Sequence, residues 1–154
     1  YFGPGIEVLL SKDYYSQEEQ DPITASSDLD IKQFTNAMTS VINGLAKKGN
    51  VVLLGRGANR ILADHGNTLH VDIIAPFERR VQTIMNREHL DEQAATQFVD
   101  EHETARLNFF KKAFNVDALD SNLYHMILNM EHLKTETAAE IIAHATQDMA
   151  YQIN

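Results

Sequence analysis

The chain has 154 residues, 44% hydrophobic and 23% charged, which is one domain's worth of globular sequence with enough apolar content to bury a core. Its 22 acidic and 13 basic residues give a formal net charge of −9, which weighs against non-specific nucleic-acid binding because a polyanion is repelled, yet leaves room for a small basic pocket. Cysteine is absent, which excludes a disulfide framework, a thiolate nucleophile and a cysteine-based zinc site, and no apolar run approaches the roughly 18 residues a membrane helix needs.

Residues 1–28 are expected to be irregular, because Gly3-Pro4-Gly5, Asp21-Pro22 and Ser26-Ser27-Asp28 are turn and breaker signals. Within them, Ile6–Leu10 reads either as a short strand or as a helical turn. From Leu29 to about Lys48, apolar residues at Ile31, Phe34, Ala37, Met38, Val41, Ile42 and Leu45 follow a helical period, with Asp28 as N-cap and Gly49 as the stop. The apolar run Val51-Val52-Leu53-Leu54 predicts a strand buried on both faces. A short helix over Ala58–His65 ends at Gly66-Asn67, and Leu69–Ile74 is a second strand with Asp72 as its one charged residue. Pro76 opens a helix to about His89, with Glu78 favourably placed in the first turn. A long helix follows from Asp91 to about Phe114. Tyr124–Leu128 is a third strand, and Thr135 caps a final helix towards Tyr151.

Helices alternating with strands in this order predict an α/β domain over residues 29–154, built on a parallel sheet. Three strands make a thin sheet for so many helices. The first residue is Tyr1 rather than methionine, so the chain is either processed or part of a longer polypeptide.

Gly55-Arg56-Gly57 follows the first clear strand directly. Glycines there let the backbone turn sharply and let a ligand approach the main chain, and ligands of open α/β sheets collect at the carboxyl ends of strands. A planar guanidinium at that point suits a phosphate. The alternative is a tight strand-to-helix turn whose arginine pairs with a surface carboxylate, and the tripeptide alone leaves both open.

The second concentration is Asp100–Phe114, where Arg106, Lys111 and Lys112 stand close together in an acidic chain. On a mobile lid these cations could close over a phosphate and exclude water. Glu103, three residues before Arg106, offers ordinary pairing on the helix surface instead. Arg79 and Arg80, one turn into the helix after the second strand, could point back to a nucleotide, but read first as part of a solvated face. The 7 histidines show no metal-ligand spacing, and Phe98, Phe109, Phe110 and Phe114 read as core packing along the long helix. No Gly-x-x-x-x-Gly-Lys-Ser/Thr cradle is present, and Ile6–Leu10 leads into Ser11-Lys12-Asp13-Tyr14, which has no glycine.

Taken together, Val51–Asn59, Leu69–Arg80, Asn115-Val116-Asp117, Leu123–Asn129 and the helix around Ala138–Ile142 resemble the cytidylate kinase-like family in order and spacing. These are relatives of the nucleoside monophosphate kinases, and the likeness spans about residues 29–145. It implies a three-layer P-loop NTPase-like fold, a parallel sheet flanked by helices, with the family's N-terminal strand and P-loop missing from these residues. In that fold the P-loop strand lies between the strands expected at 51–54 and 69–74. A sheet without it would have unpaired backbone groups and a split core.

The resemblance further implies that Gly55, Arg56 and Gly57 bind the acceptor's phosphate, and that Arg106, Lys111 and Lys112 belong to a basic lid helix, about 91–114, closing over the transferring phosphates. ATP and Mg²⁺ are implied by the resemblance only, and cofactor-binding residues are not identified. The implied partner is a nucleotide or another small phosphate-bearing ligand, in the cytoplasm, with neither nucleic acid nor membrane and with a homo-oligomer left open. Two departures stand out. Gly57 replaces the aspartate of true cytidylate kinases, and Thr104 and Asn108 stand where relatives often carry further lid arginines. Either the intact protein carries a P-loop elsewhere and is an ATP-dependent nucleotide kinase, or the chain is a non-catalytic module that binds a nucleotide or a partner.

Overall fold

An apolar stripe along the first long helix dictates how one half of the protein packs. The structure, a computed structural model, describes residues 7–9 and 28–151. Its elements are β1 (Glu7–Leu9), α1 (Asp28–Lys48), β2 (Val51–Leu53), α2 (Ala58–Ile61), β3 (Val71–Ile74), α3 (Phe77–Glu88), α4 (Glu92–Phe114), a 3-10 turn at Ser121–Leu123, β4 (Met126–Asn129) and α5 (Thr135–Tyr151). The strand reading of Ile6–Leu10 holds over Glu7–Leu9. The other signals before Asp28 lie outside the described residues.

The Cα framework divides into two compact units, Tyr1–Asp64 with Phe109–Val116 and His65–Asn108 with Asp117–Asn154. Helix α4 contributes its last turns to the first and the rest of its length to the second. In the first unit Ile42 of α1 is buried against Ala58 and Leu62, with Met38, Ala46, Leu53 and Ile61 around them. Helix α1 ends where Gly49 and Asn50 both turn left-handed, with Gly49 N–H donating to Ala46 O at 3.1 Å.

Strand β2 pairs in parallel with β1, Glu7 opposite Val51 and Leu9 opposite Leu53. The expectation that it is buried on both faces is corrected here. Val52 is 43% and Leu54 55% exposed, while Leu53 packs on the α1–α2 cluster. Side chains alternate across a strand, and among the described residues only one face is covered by helices.

In the second unit β3 and β4 pair in parallel, Val71 opposite Met126 and Ile74 opposite Asn129. Helix α3 presents Val81 and Ile84 to Ala95 and Val99 of α4, flanked by Phe77, Met85, Leu90 and Phe98. This is an αα-hairpin. His89 turns left-handed at the end of α3, and Asp91 Oδ1 accepts from Ala94 N–H at 2.8 Å to start α4.

The described strands form two two-stranded parallel sheets, β1–β2 and β3–β4, so β2 and β3, between which the resemblance places a further strand, do not pair with each other. Parallel α/β architecture stands. Element boundaries moved locally. Pro76, at ψ 149, precedes α3 as its cap, and α2 is a single turn. Strand β4 starts two residues later than expected because Asp120 Oδ1 accepts from Asn122 N–H and tightens Ser121–Leu123 into a 3-10 turn. Among the described residues no helix is long and apolar enough to cross a membrane.

Candidate functional site

Gly55, Arg56 and Gly57 have φ of 71°, 57° and 69°, three consecutive left-handed residues between β2 and α2. Ala58 N–H donates to Gly55 O at 3.1 Å, closing the turn, and Arg60 and Ile61 N–H return to Gly57 O at 2.9 and 3.0 Å. Glycine adopts this conformation at no steric cost, whereas for an L-residue such as arginine it costs about 1–2 kcal/mol. Strain of this kind persists only where the surroundings impose it. Replacing Arg56 by glycine should therefore leave the protein about 1 kcal/mol more stable than replacing it by alanine. Denaturant unfolding of the two variants checks this, and equal stabilities would mean that the turn stores no strain.

Aromatic rings meet the turn at Arg56 and at Gly57. The Arg56 guanidinium lies over the Phe34 ring of α1, 5.8 Å from its centroid. At the other glycine, an added Cβ on Gly57 would come within 2.6 Å of Phe114 Cζ and closer still to Cε2. Phe34 and Phe114 are joined through Phe109, edge-on to each at centroid distances of 6.2 and 5.6 Å, and Phe110 meets Phe114 at 5.8 Å. The expected core stripe on the long helix is therefore divided. Phe109, Phe110 and Phe114 bracket the glycine turn, while Phe98 packs beside His102 and the α3–α4 core.

Just past the turn, Asn59 Nδ2 and Arg60 Nε are buried without a hydrogen-bond partner. Such donors are few in native proteins and call for an acceptor. Sequence reasoning passed over both residues, since nothing in their spacing marks them as buried.

The three cations expected in the lid go to different places. Lys111 and Lys112 are exposed on the last turns of α4, in the same unit as Arg56. Lys112 lines an open cleft of about 600 Å³ with Ile31, Lys32, Thr35, Asn36 and Ala113. Arg106 belongs to the other unit. Its Nη2 donates to Tyr124 Oη at 3.0 Å and stands 3.6 Å from Asp72 Oδ1, while Tyr124 Oη donates to Ala118 O at 3.2 Å. Glu103 pairs with Arg80 at 3.0 Å instead of with Arg106, and the Arg80 guanidinium lies over Phe77 at 5.4 Å. The solvated-face reading of Arg80 is corrected accordingly.

The histidines also hold a feature that spacing concealed. His70 is buried and stacks on His125 with ring centroids 4.9 Å apart, and His70 N–H donates to His125 Nδ1 at 3.0 Å. That bond places the proton of neutral His125 on Nε2 and fixes the start of the β3–β4 ladder. Among the described residues no group of three or more His, Asp or Glu could hold a metal ion.

Residues 6–132 match the model of the cytidylate kinase-like family. The chain is 30% identical over 107 residues to the cytidylate kinase of Methanocaldococcus jannaschii, covering 68% of this chain and 60% of that protein. It is 30% identical over 105 residues to the cytidylate kinase of Methanopyrus kandleri, covering 63% and 54%. To that of Thermoplasma acidophilum it is 22% identical over 139 residues, covering 90% and 63%. The chain thus spans somewhat over half the length of these curated relatives. An uncharacterized protein from Eubacterium ventriosum shares the fold, with a TM-score of 0.67 at 21% identity, covering 93% of this chain and 83% of that one.

Proposed function

Because the chain belongs to the cytidylate kinase-like family, we propose that its Gly55-Arg56-Gly57 turn holds the phosphate of a nucleotide-like acceptor in a phosphoryl-transfer reaction of the intact protein. The observation that carries this is Arg56 itself. An arginine sits in a left-handed turn that glycine would occupy more cheaply. A guanidinium binds phosphate through two parallel N–H···O bonds.

Phosphoryl transfer asks the protein mainly to position groups and neutralise charge. On this reading Gly55, Arg56 and Gly57 hold the acceptor, and Lys111 and Lys112 of the same unit supply charge that balances the transferring phosphates. The relatives' printed names make a nucleoside monophosphate such as CMP the first acceptor to test. The family resemblance implies ATP with Mg²⁺ as donor, in the cytoplasm, and a layout of the P-loop NTPase kind. The residues present do not themselves fit that donor. The sequence has no glycine-rich cradle ending in Lys-Ser or Lys-Thr, and the described residues hold no metal-ligand cluster.

A second reading is a module that binds a nucleotide without transferring phosphate. The two separate in one assay. Phosphorylated product from ATP, Mg²⁺ and CMP means a kinase, and binding without turnover means a module. Under either, Arg56→Ala should weaken binding of CMP or pyrophosphate by about 10- to 100-fold while the protein stays folded. Isothermal titration measures this, and unchanged affinity would remove Arg56 from the site.

A further inference from the structure

Helix α1 and the last turns of α4 belong to one unit and meet through their rings, Phe34 edge-on to Phe109 at 6.2 Å. The open cleft of about 600 Å³ is built on the same two helices, with Ile31, Lys32, Thr35 and Asn36 from α1 and Lys112 and Ala113 from α4. Thr35 follows Phe34 directly and Lys112 stands one turn past Phe109, so the ring contact fixes the spacing of the two walls.

The cleft brings two cations from distant parts of the chain to one place. Neither the Lys32 nor the Lys112 ammonium is in an ion pair with a described residue, although the chain has 22 acidic residues to 13 basic ones. No described residue of the lining is acidic. Thr35 Oγ1 donates to Ile31 O at 2.7 Å, whereas the Asn36 side-chain amide makes no hydrogen bond to a described residue. Two ammonium groups lining one cleft repel each other, and a multivalent anion between them answers both.

We infer that this cleft binds a phosphate-bearing small molecule, with Lys32 and Lys112 as its charged ligands and the Asn36 amide as a neutral donor. This rests on the reading of Lys112 as a cation facing phosphate and deepens it by adding Lys32 and Asn36; Arg56 has no part in it. A compact ammonium on a flexible stem suits phosphate oxygens as a point charge. The volume falls within the roughly 300–1,000 Å³ of small-molecule sites, so more than a bare ion is accommodated. Buried Ile31 and the neighbouring Ala113 offer apolar surface to the rest of such a molecule. A nucleic acid is disfavoured, because the net charge of −9 repels a long polyanion.

The test is titration with inorganic pyrophosphate, followed by backbone-amide NMR shifts of the wild type and by calorimetry of wild type, Lys32→Gln, Lys32→Glu, Lys112→Gln and Lys48→Gln. Lys48 ends the same helix, about 24 Å along its axis from Lys32, and its substitution removes an equal charge outside the cleft. Pyrophosphate should shift the amides of Lys32, Thr35, Asn36, Lys112 and Ala113. Lys32→Gln and Lys112→Gln should each weaken binding about 3- to 10-fold and Lys32→Glu about 10- to 100-fold, while Lys48→Gln stays within about 2-fold of wild type. Should Gly55–Asn59 shift as well, Lys32→Gln should weaken only the response of the cleft. Shifts confined to Gly55–Asn59 would overturn the cleft and leave the glycine turn as the phosphate site; shifts in neither would overturn both. Affinity lost in Lys112→Gln and kept in Lys32→Gln would overturn the two-walled site and leave Lys112 its charge-balancing role. Equal losses in Lys48→Gln and Lys32→Gln would overturn the inference, since overall charge and not the cleft would then set the affinity.

Discussion

Placing an aspartate in the glycine turn, Gly57→Asp, should destabilise the protein strongly. Two penalties combine. Gly57 has φ of 69°, where a residue with a Cβ costs about 1–2 kcal/mol. Its Cβ would also fall within 2.6 Å of Phe114 Cζ, and overpacking of that kind costs about 1–3 kcal/mol. Phe114 cannot swing away freely, since Phe109 and Phe110 hold it edge-on at 5.6 and 5.8 Å. Together these amount to about 2–5 kcal/mol, a lowering of the unfolding midpoint by roughly 4–20 °C for a chain of this size. A thermal scan measures it. The two terms separate in a double-mutant cycle: with Phe114→Ala in place, Gly57→Ala should retain only the left-handed cost of about 1–2 kcal/mol. A wild-type midpoint for Gly57→Asp would mean that neither the left-handed turn nor the Phe114 contact exists. The consequence is steric: the Phe114 ring occupies the space that a side chain at position 57 would need.

Such pairings mark the limit of what the residues announce in a line. The period of Ile31, Phe34, Met38 and Ile42 announced α1, and a similar logic announced α3, α4 and α5, because an amphipathic helix writes its buried face into local spacing. The turn at Gly55-Arg56-Gly57 was legible because consecutive glycines around a charged residue report backbone conformation directly. Exposure of β2 was not. Val51–Leu54 are apolar without alternation, and whether a second layer covers Val52 and Leu54 depends on residues distant in sequence.

Charge partners were equally hidden. Glu103 had an arginine three residues on and chose Arg80, on the neighbouring helix, where the guanidinium also lies over Phe77. Helix-surface spacing gives a pair only a few tenths of a kcal/mol, about 0.2–0.5, so packing between helices readily overrides it. Phe34 carried no chemical signal in the sequence for the same reason. Its meaning comes from what stands over it.

Arg106 supplies the second large effect. Neutralising it, as in Arg106→Gln, should lower stability by about 1–2 kcal/mol, because hydrogen bonds to charged groups contribute about 1.5–3 kcal/mol when buried and less where solvent reaches them. Its side chain is 37% exposed and that of Asp72 20%, so the ion pair at 3.6 Å deserves the smaller share and the 3.0 Å bond to Tyr124 Oη the larger. Tyr124→Phe removes that acceptor and the bond to Ala118 O together and should cost about 1 kcal/mol. Because Arg106 and Tyr124 share one bond, the double variant should fall short of the sum of the singles. Urea unfolding of the four proteins measures the cycle. A lid arginine with no structural duty would leave the midpoint unchanged on substitution and lower phosphoryl transfer alone. The bonds to Tyr124 and Asp72 favour the opposite order, in which loss of stability comes first and Arg106 reaches a phosphate only by leaving partners that already hold it.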